Sequence, residues 1–387
     1  MKTYQAGIDV GSTTVKLVVL DENGQMIFGQ YQRHLSHTQR ALSDLLKQAR
    51  AALGECALEL RATGSGAINL AKALGIPFVQ EVVAVAQALE RVAPQVDVAI
   101  ELGGEDAKII YFKGGLEERM NGVCGTGSFI DQMAALLQTD ASGLDREAAH
   151  YQQIYPIAAR CGVFAKTDIQ PLINEGATKA DLAASIFQAV VNQTISGLAC
   201  GKPIRGHVAF LGGPLHFLPQ LKAAFIRTLK LTDETTIDPE NSHLFAATGA
   251  AIDETPAEAQ PLSALIKRLD SGVQMDFELK RLPALFEDEA DLEAFRTRHH
   301  TAVVPRGDLA TYQGDCFLGF DAGSTTTKLA LVGEKGELLY SFYANNQGNP
   351  IKTAMQAVHT LREALPAGAH IARSCSTGYG ETLLKSA

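Results

Sequence analysis

Apolar residues in this chain follow two rhythms. Short apolar runs without a helical period, at residues 6–10, 15–20, 96–102, 107–112 and 208–211, predict buried strands. The turn residues Asp21-Glu22-Asn23-Gly24 lead into a further strand that is expected to reach about Gln30, and a second turn is expected at Lys113-Gly114-Gly115. Other segments repeat every three or four positions and predict helices. Residues 38–53 place Leu42, Leu45, Leu46 and Ala49 on one face; residues 68–74, 81–92, 129–137, 181–199, 218–229 and the small-residue stretch 245–252 complete the set. Strand hairpins followed by helices occur twice, which predicts an α/β fold of two lobes with a cleft between them.

The chain also repeats itself. Gly7-Ile8-Asp9-Val10-Gly11-Ser12-Thr13-Thr14-Val15-Lys16-Leu17 returns 312 residues on as Gly319-Phe320-Asp321-Ala322-Gly323-Ser324-Thr325-Thr326-Thr327-Lys328-Leu329. Thr63-Gly64-Ser65-Gly66 has its counterpart, in the same order, at Thr377-Gly378-Tyr379-Gly380. Two ordered matches at nearly one spacing predict a duplicated domain. The expected organisation is a first copy over 1–255, a connector over 256–312 and the N-terminal part of a second copy over 313–387. The connector holds Pro256, Pro261, Pro283 and Pro305 and the acidic stretch 287–293, read as a solvated helix face. The second copy breaks off at Leu383-Leu384-Lys385-Ser386-Ala387, in what reads as a helix start, so a truncated piece of a longer protein is expected.

Composition narrows the function classes. With 46% hydrophobic and 20% charged residues among 387, the chain is globular rather than disordered. Its 34 Lys and Arg against 43 Asp and Glu give a net charge of −9, and no basic run occurs, so no nucleic-acid partner is expected. No apolar run approaches the ~18 residues of a membrane span, and the N-terminus enters a strand pattern without a signal peptide. No membrane association and a cytoplasmic location are expected. Six cysteines are too sparse for a disulfide scaffold, which leaves free thiols or ligands.

Three motifs carry candidate chemistry. In the first, Asp9, Gly11, Ser12, Thr13, Thr14 and Lys16 lie at a turn between two strands, offering clustered backbone N–H groups, three hydroxyls and a cation to a polyphosphate. Asp9 at the strand end suits Mg²⁺ held through water. A plain Gly-Ser hairpin would share the glycine, but the return of the same polar set at 319–329 favours the phosphate site. The second, Glu101-Leu102-Gly103-Gly104-Glu105-Asp106-Ala107-Lys108, delivers carboxylates beside a glycine pair and suits Mg²⁺ and an oriented water. The third, Gly212-Gly213-Pro214, offers bare backbone to a flat adenosine. No G-x-x-x-x-G-K-[ST] occurs, and Gly125-Thr126-Gly127 does not complete G-x-G-x-x-G, so P-loop and Rossmann readings are disfavoured.

This ordered set resembles the actin-like ATPases, the superfamily of acetate and sugar kinases, heat-shock ATPases and actin. The resemblance implies ribonuclease H-like lobes built from mixed sheets and helices. It implies that the first motif grips the β- and γ-phosphates, the second holds Mg²⁺ and the attacking water, and the third holds adenosine of ATP. Asp9, Glu101 and Glu105 become the catalytic candidates, and Gly11, Ser12, Thr13, Thr14, Lys16, Gly103, Gly104, Gly212 and Gly213 the nucleotide-binding ones.

Cys124 lies in Asn121-Gly122-Val123-Cys124-Gly125-Thr126-Gly127, a glycine-rich turn before a helix, and Cys161 lies in a second glycine turn, Ala159-Arg160-Cys161-Gly162-Val163-Phe164-Ala165. A helix N-terminus stabilises a thiolate, but on spacing alone both cysteines read equally well as small residues near a core. With the three motifs around them, residues 1–255 resemble the 2-hydroxyacyl-CoA dehydratase activators. That family implies a homodimer sharing one [4Fe-4S] cluster, with Cys124 and Cys161 as the ligands from each chain. It also implies ATP hydrolysis that drives a low-potential electron into a partner dehydratase or reductase, with ferredoxin or flavodoxin as donor. The duplication resembles long, fused members, in which two copies would pair within one chain. Glu101 stands where many relatives carry Asp and Glu105 where many carry Gln, while Pro214 and His216 depart at the adenosine element. Cys56 and Cys200 read as core thiols in helical segments, Cys316 and Cys375 match no ligand motif, and His299-His300 reads as solvated. Two other classes remain: a small-molecule kinase of the same superfamily, and a non-catalytic nucleotide-binding assembly protein.

Overall fold

A computed structural model describes residues 1–112, 117–122, 126–158, 162–199, 201–273, 282–323, 325–346 and 349–378, with the backbone alone for 117–122 and 162–163. The chain divides into two compact units. The first comprises Met1–Ala135, Thr139–Ala165 and Ala180–Asp276; the second comprises Leu136–Gln138, Lys166–Lys179 and Phe277–Ala387.

The first unit starts with β1 (Thr3–Val10), β2 (Thr14–Leu20) and β3 (Met26–Arg33), an antiparallel meander whose register sets Asp9 opposite Lys16. Helix α1 (Thr38–Leu53) then crosses over to β4 (Ala57–Thr63), which runs parallel to β1 with Thr63 opposite Asp9. Leu42, Leu45, Leu46 and Ala49 of α1 are buried, as their spacing requires. Helices α2 (Ile68–Leu74) and α3 (Glu81–Val92) follow. The second sheet repeats the plan. β5 (Val98–Leu102), β6 (Asp106–Tyr111) and β7 (Glu117–Gly122) form a meander, α4 (Gly127–Leu136), α5 (Ala141–Ala148), α6 (Gly162–Asn174, which from Lys166 on belongs to the second unit) and α7 (Lys179–Thr194) intervene in the chain, and β8 (Val208–Leu211) returns parallel to β5. Next come α8 (Gly213–Phe217), α9 (Pro219–Leu229), β9 (Thr236–Ile237) and α10 (Phe245–Ile252), then β10 (Ala259–Pro261) and α11 (Leu262–Asp270). The strand orders are β10-β4-β1-β2-β3 and β7-β6-β5-β8-β9, so β1 and β5 are the central strands of two like-wound mixed sheets.

Close packing sets these layers. A methyl group added at Gly7 of β1 would lie 2.6 Å from the Ala251 nitrogen of α10, so the small residues of that helix allow its backbone to rest on the sheet. The core of the first sheet combines Ile8, Leu17, Leu42, Leu46, Leu58 and Leu60 with Leu262, Leu265 and Ile266. Among the described residues one helical stretch, Lys179–Ala199, is long and apolar enough to cross a membrane, but 72% of its apolar window is buried inside the fold, as in a core helix.

In the second unit α12 (Glu289–His300) buries no residue, and His299 and His300 are exposed with it. A four-stranded sheet follows, of β11 (Gly314–Ala322), β12 (Thr326–Gly333), β13 (Leu338–Asn345) and β14 (Ala369–Thr377), with α13 (Pro350–Ala364) before β14. Its order is β13-β12-β11-β14, Asp321 stands opposite Lys328 and Thr377, and Lys328 Nζ reaches Asp321 Oδ2 at 2.8 Å.

Several expectations need correction. The first unit runs past residue 255, because β10 pairs with β4 and α11 fills the first core; the connector is therefore shorter than 256–312. Cys56 is a buried core thiol as expected, but it lies in the loop before β4 rather than in a helix. The third strand runs three residues past Gln30 to Arg33, and the α-helical part of 181–199 ends at Thr194, continuing as a π-helical turn, Ile195–Ala199. The turn at 113–115 and Cys200 lie outside the described residues.

Candidate functional site

All twelve nucleotide-site candidates line one cavity of about 230 Å³ between the two sheets of the first unit. Three turns build its walls. At the end of β1 the chain reverses through Gly11, whose N–H donates to Thr14 O at 2.9 Å, while Gly66 N–H donates to Val10 O at 2.8 Å and fixes the strand end from behind. At the end of β5, Gly103 N–H donates to Asp106 O at 2.8 Å. A methyl group on Gly104 would lie 2.9 Å from Ser12 Oγ and would collide with Thr13 Oγ1, so the first two turns face each other in contact. At the end of β8, Gly212 has φ of +88° and no room for a side chain against Leu102, which restricts the position to glycine.

The floor is charged. Lys16 Nζ donates to Asp9 Oδ2 at 2.5 Å, both nearly buried. Lys16 is thus engaged by its strand neighbour and does not stand free as a cation. Lys108 on β6 reaches Glu81 of α3 at 2.6 Å and Glu101 at 3.9 Å. Burial raises the Asp9 carboxyl, with Lys16 opposing it; Lys16 itself is held up by Asp9 against its own burial. Burial pushes Glu101 up to about 7 despite Lys108 nearby. Asp9 Oδ1 and Glu101 Oε2 are buried without a hydrogen-bond partner. Two such oxygens on two central strands fit Mg²⁺, which keeps several waters and takes one or two carboxylates beside phosphate oxygens. Among the described residues no group of three or more His, Cys, Asp or Glu forms a metal cage.

The cavity also holds residues that no sequence motif announces: Tyr31, Arg33, Glu81, Asp131 and Phe217 line it, and Lys108, though inside the second motif, had no expected role. Glu81 had one signal, an acidic residue in the first turn of a helix. Arg33 and Asp131 had none, being 98 residues apart. His216, a departure at the adenosine element, joins an aromatic group with Tyr31, Phe217 and His243, its ring centroid 3.9 Å from that of His243. Cys124 and Cys161 lie outside the described residues, but α4 begins at Gly127 and α6 at Gly162, shortly after each of them.

His243 gives the fold a pH dependence. Burial, then the neighbouring His216 and Lys16, lower it to about 4, and its Nδ1 has no partner. Above pH 6.5 the imidazole is neutral both folded and unfolded. As pH falls from 6.5 towards 4 only the unfolded chain takes the proton, so stability is lost across that window. With the group partly buried and partly screened, the loss at pH 5 is about 1 kcal/mol. Urea melts at pH 7.5 and 5.0 should show this difference, and His243→Gln should remove it.

A profile of the BadF/BadG/BcrA/BcrD ATPase family matches residues 6–252. The (R)-2-hydroxyglutaryl-CoA dehydratase activating ATPase of Acidaminococcus fermentans is 30% identical over 220 residues, 55% of this chain and 84% of that protein. The 2-hydroxyisocaproyl-CoA dehydratase activator of Clostridioides difficile is 27% identical over 258 residues, 64% of this chain and 94% of that one. Among solved structures, the activator of the 2-hydroxyisocaproyl-CoA dehydratase from Clostridium difficile with bound ADPNP superposes with a TM-score of 0.57 at 25% identity, covering 73% of this chain and all of that one. Component A of the (R)-2-hydroxyglutaryl-CoA dehydratase of Acidaminococcus fermentans gives 0.57 at 27% identity, covering 65% of this chain and 96% of that one. The fold of the first unit is that of the actin-like ATPase activators.

Proposed function

Because the chain belongs to the BadF/BadG/BcrA/BcrD ATPase family, we propose that it hydrolyses ATP to activate a partner of the 2-hydroxyacyl-CoA dehydratase kind, or a related reductase. One observation carries the nucleotide half of this reading: Asp9 and Glu101 each keep a buried, unpartnered oxygen in a cavity walled by three glycine-bearing turns. In the proposed roles, the N–H groups and hydroxyls of Gly11, Ser12, Thr13 and Thr14 hold the β- and γ-phosphates. Asp9 and Glu101 hold Mg²⁺ through water, and Lys16 fixes the Asp9 carboxylate. The Gly103–Gly104 turn lets the phosphate end approach the backbone, Glu105 orients the attacking water, and Gly212 and Gly213 receive adenosine. Mg²⁺, when bound, offsets charge on the phosphates.

The names of three relatives, each an activator of an acyl-CoA dehydratase, support the second half. Cys124 and Cys161 are proposed as ligands of a [4Fe-4S] cluster shared with a second copy, either another chain or the partial copy over 313–387. The shared strand order and the common Asp–Lys register of the two sheets support reading 313–387 as such a copy. The cluster, when bound, supplies the low-potential electron, with ferredoxin or flavodoxin as donor. Helix N-termini shortly after both cysteines favour the negative charge of thiolates.

The test is phosphate release from MgATP by the anaerobically purified chain, with and without a 2-hydroxyacyl-CoA dehydratase. Release that needs no acceptor and reduction of the partner only while ATP is hydrolysed would support the proposal. Stoichiometric transfer of the γ-phosphoryl group to a small acid or sugar would replace it with the kinase reading.

A further inference from the structure

Arg33 and Asp131 form a two-pronged ion pair at the mouth of the cavity. Arg33 Nη1 donates to Asp131 Oδ2 at 2.6 Å and Nη2 to Oδ1 at 3.1 Å. Arg33 ends β3 and Asp131 sits on α4, so the pair ties the first sheet to the helix that follows the β5–β7 meander of the second. Three cations line the cavity, and each has an acidic partner. The side chains are 15% and 2% exposed in Lys16–Asp9 and 7% and 26% in Lys108–Glu81, but 54% and 35% in Arg33–Asp131. The last pair is therefore the easiest to exchange, and as an exposed pair it contributes little to stability.

Its position suits exchange with phosphate. Arg33 stands opposite Thr14 in the β2–β3 ladder, and the next residue, His34, donates its N–H to Thr13 O at 3.1 Å. The guanidinium thus projects from the strand beside the turn proposed to hold phosphate. A phosphate presents oxygens that match the guanidinium fork as a carboxylate does, with more charge. Helix α4 has a second anchor: Gly127 N–H donates to Gly103 O at 2.9 Å and Ser128 N–H to Gly104 O at 2.8 Å.

We propose that Arg33 is a phosphate-sensing residue: Asp131 holds it while the cavity is empty, and a nucleoside triphosphate draws it away, releasing α4 from its tie to β3 while its N-terminal hydrogen bonds and buried face stay in place. The proposal rests on the nucleotide reading above. A triphosphate competes with Asp131 better than a diphosphate, because it carries more charge. The helix that changes its restraint is the one that follows Cys124.

Calorimetric titration of the full chain with Mg²⁺ and either ADPNP or ADP tests this. Arg33→Ala should weaken ADPNP about tenfold or more and ADP less, the scale of a lost charge-assisted fork. Arg33→Lys should recover only part of the loss. Asp131→Asn should tighten ADPNP several-fold, since Arg33 no longer has to be withdrawn from a partner. Opposite directions for the two sites are the signature. If both variants weaken both nucleotides alike, the pair is a structural clamp and the sensing role fails. Unchanged ADPNP binding by Arg33→Ala overturns it as well. A wild-type chain that binds neither nucleotide overturns the nucleotide reading instead.

Discussion

An Asp9→Asn chain should lose ATP hydrolysis by about a hundredfold or more, the scale on which one electrostatic group acts against developing charge. Asparagine keeps the shape and an oxygen that accepts from Lys16, so the change removes charge and little else. That charge has two tasks in the proposed site, holding Mg²⁺ through the free Oδ1 and pairing Lys16 through Oδ2. Loss of the second task leaves a nearly buried ammonium without a counter-ion, at a cost of about 3 kcal/mol. Both effects are measurable separately. Phosphate release against Mg²⁺ concentration reads the first, and a urea melt reads the second. Hydrolysis within threefold of wild type in a folded Asp9→Asn chain would sink the metal-holding role. A methyl group added at Gly64 would collide with Asp9 Oδ1, so the glycine keeps the space beside that oxygen open.

The second large effect concerns iron. Reconstituted with iron and sulfide without oxygen, the wild-type chain should carry about four irons per pair of cluster-bearing copies, and Cys124→Ser or Cys161→Ser none. Nucleotide binding should survive in both. Cys56→Ser is the control, because burial pushes that thiol up and keeps it protonated, inside the first core and away from any ligand role. Iron retained in Cys124→Ser, or lost equally in Cys56→Ser, would defeat the ligand assignment.

Much of the first unit is legible in the amino-acid sequence, because α1, α2 and α3 bury one face and leave the other to solvent, while α10, buried almost all round, is marked by its small residues. Thr38–Leu53, Ile68–Leu74, Glu81–Val92 and Phe245–Ile252 match the expected bounds, each from its apolar or small-residue spacing. Strands with charge inside them are not legible in this way. β4 contains Glu59 and Arg61, yet Arg61 is buried because its Nε donates to Thr255 O at 2.7 Å, a partner supplied only by folding. β7 reads Glu-Glu-Arg-Met-Asn-Gly and β10 is three residues long, so pairing with a neighbour, and not local pattern, makes them strands. At the site, glycine turns at strand ends announced twelve residues that meet in one cavity. Arg33 and Asp131 were silent and Glu81 showed only as an acidic helix start, because each belongs to an ordinary strand end, helix flank or helix start, and gains meaning only from a residue distant in sequence.

One ion pair occurs twice in this chain at the same ladder position, once dry and once wet. Lys16–Asp9 is 15% and 2% exposed; Lys328–Asp321 is 37% and 43% exposed. Dissolved ions screen exposed charges over ~8 Å at physiological ionic strength and hardly reach buried ones. Added salt therefore loosens the β11–β12 hairpin while sparing β1–β2, and a single chain reports how much solvent shielding alone is worth to an aspartate facing a lysine.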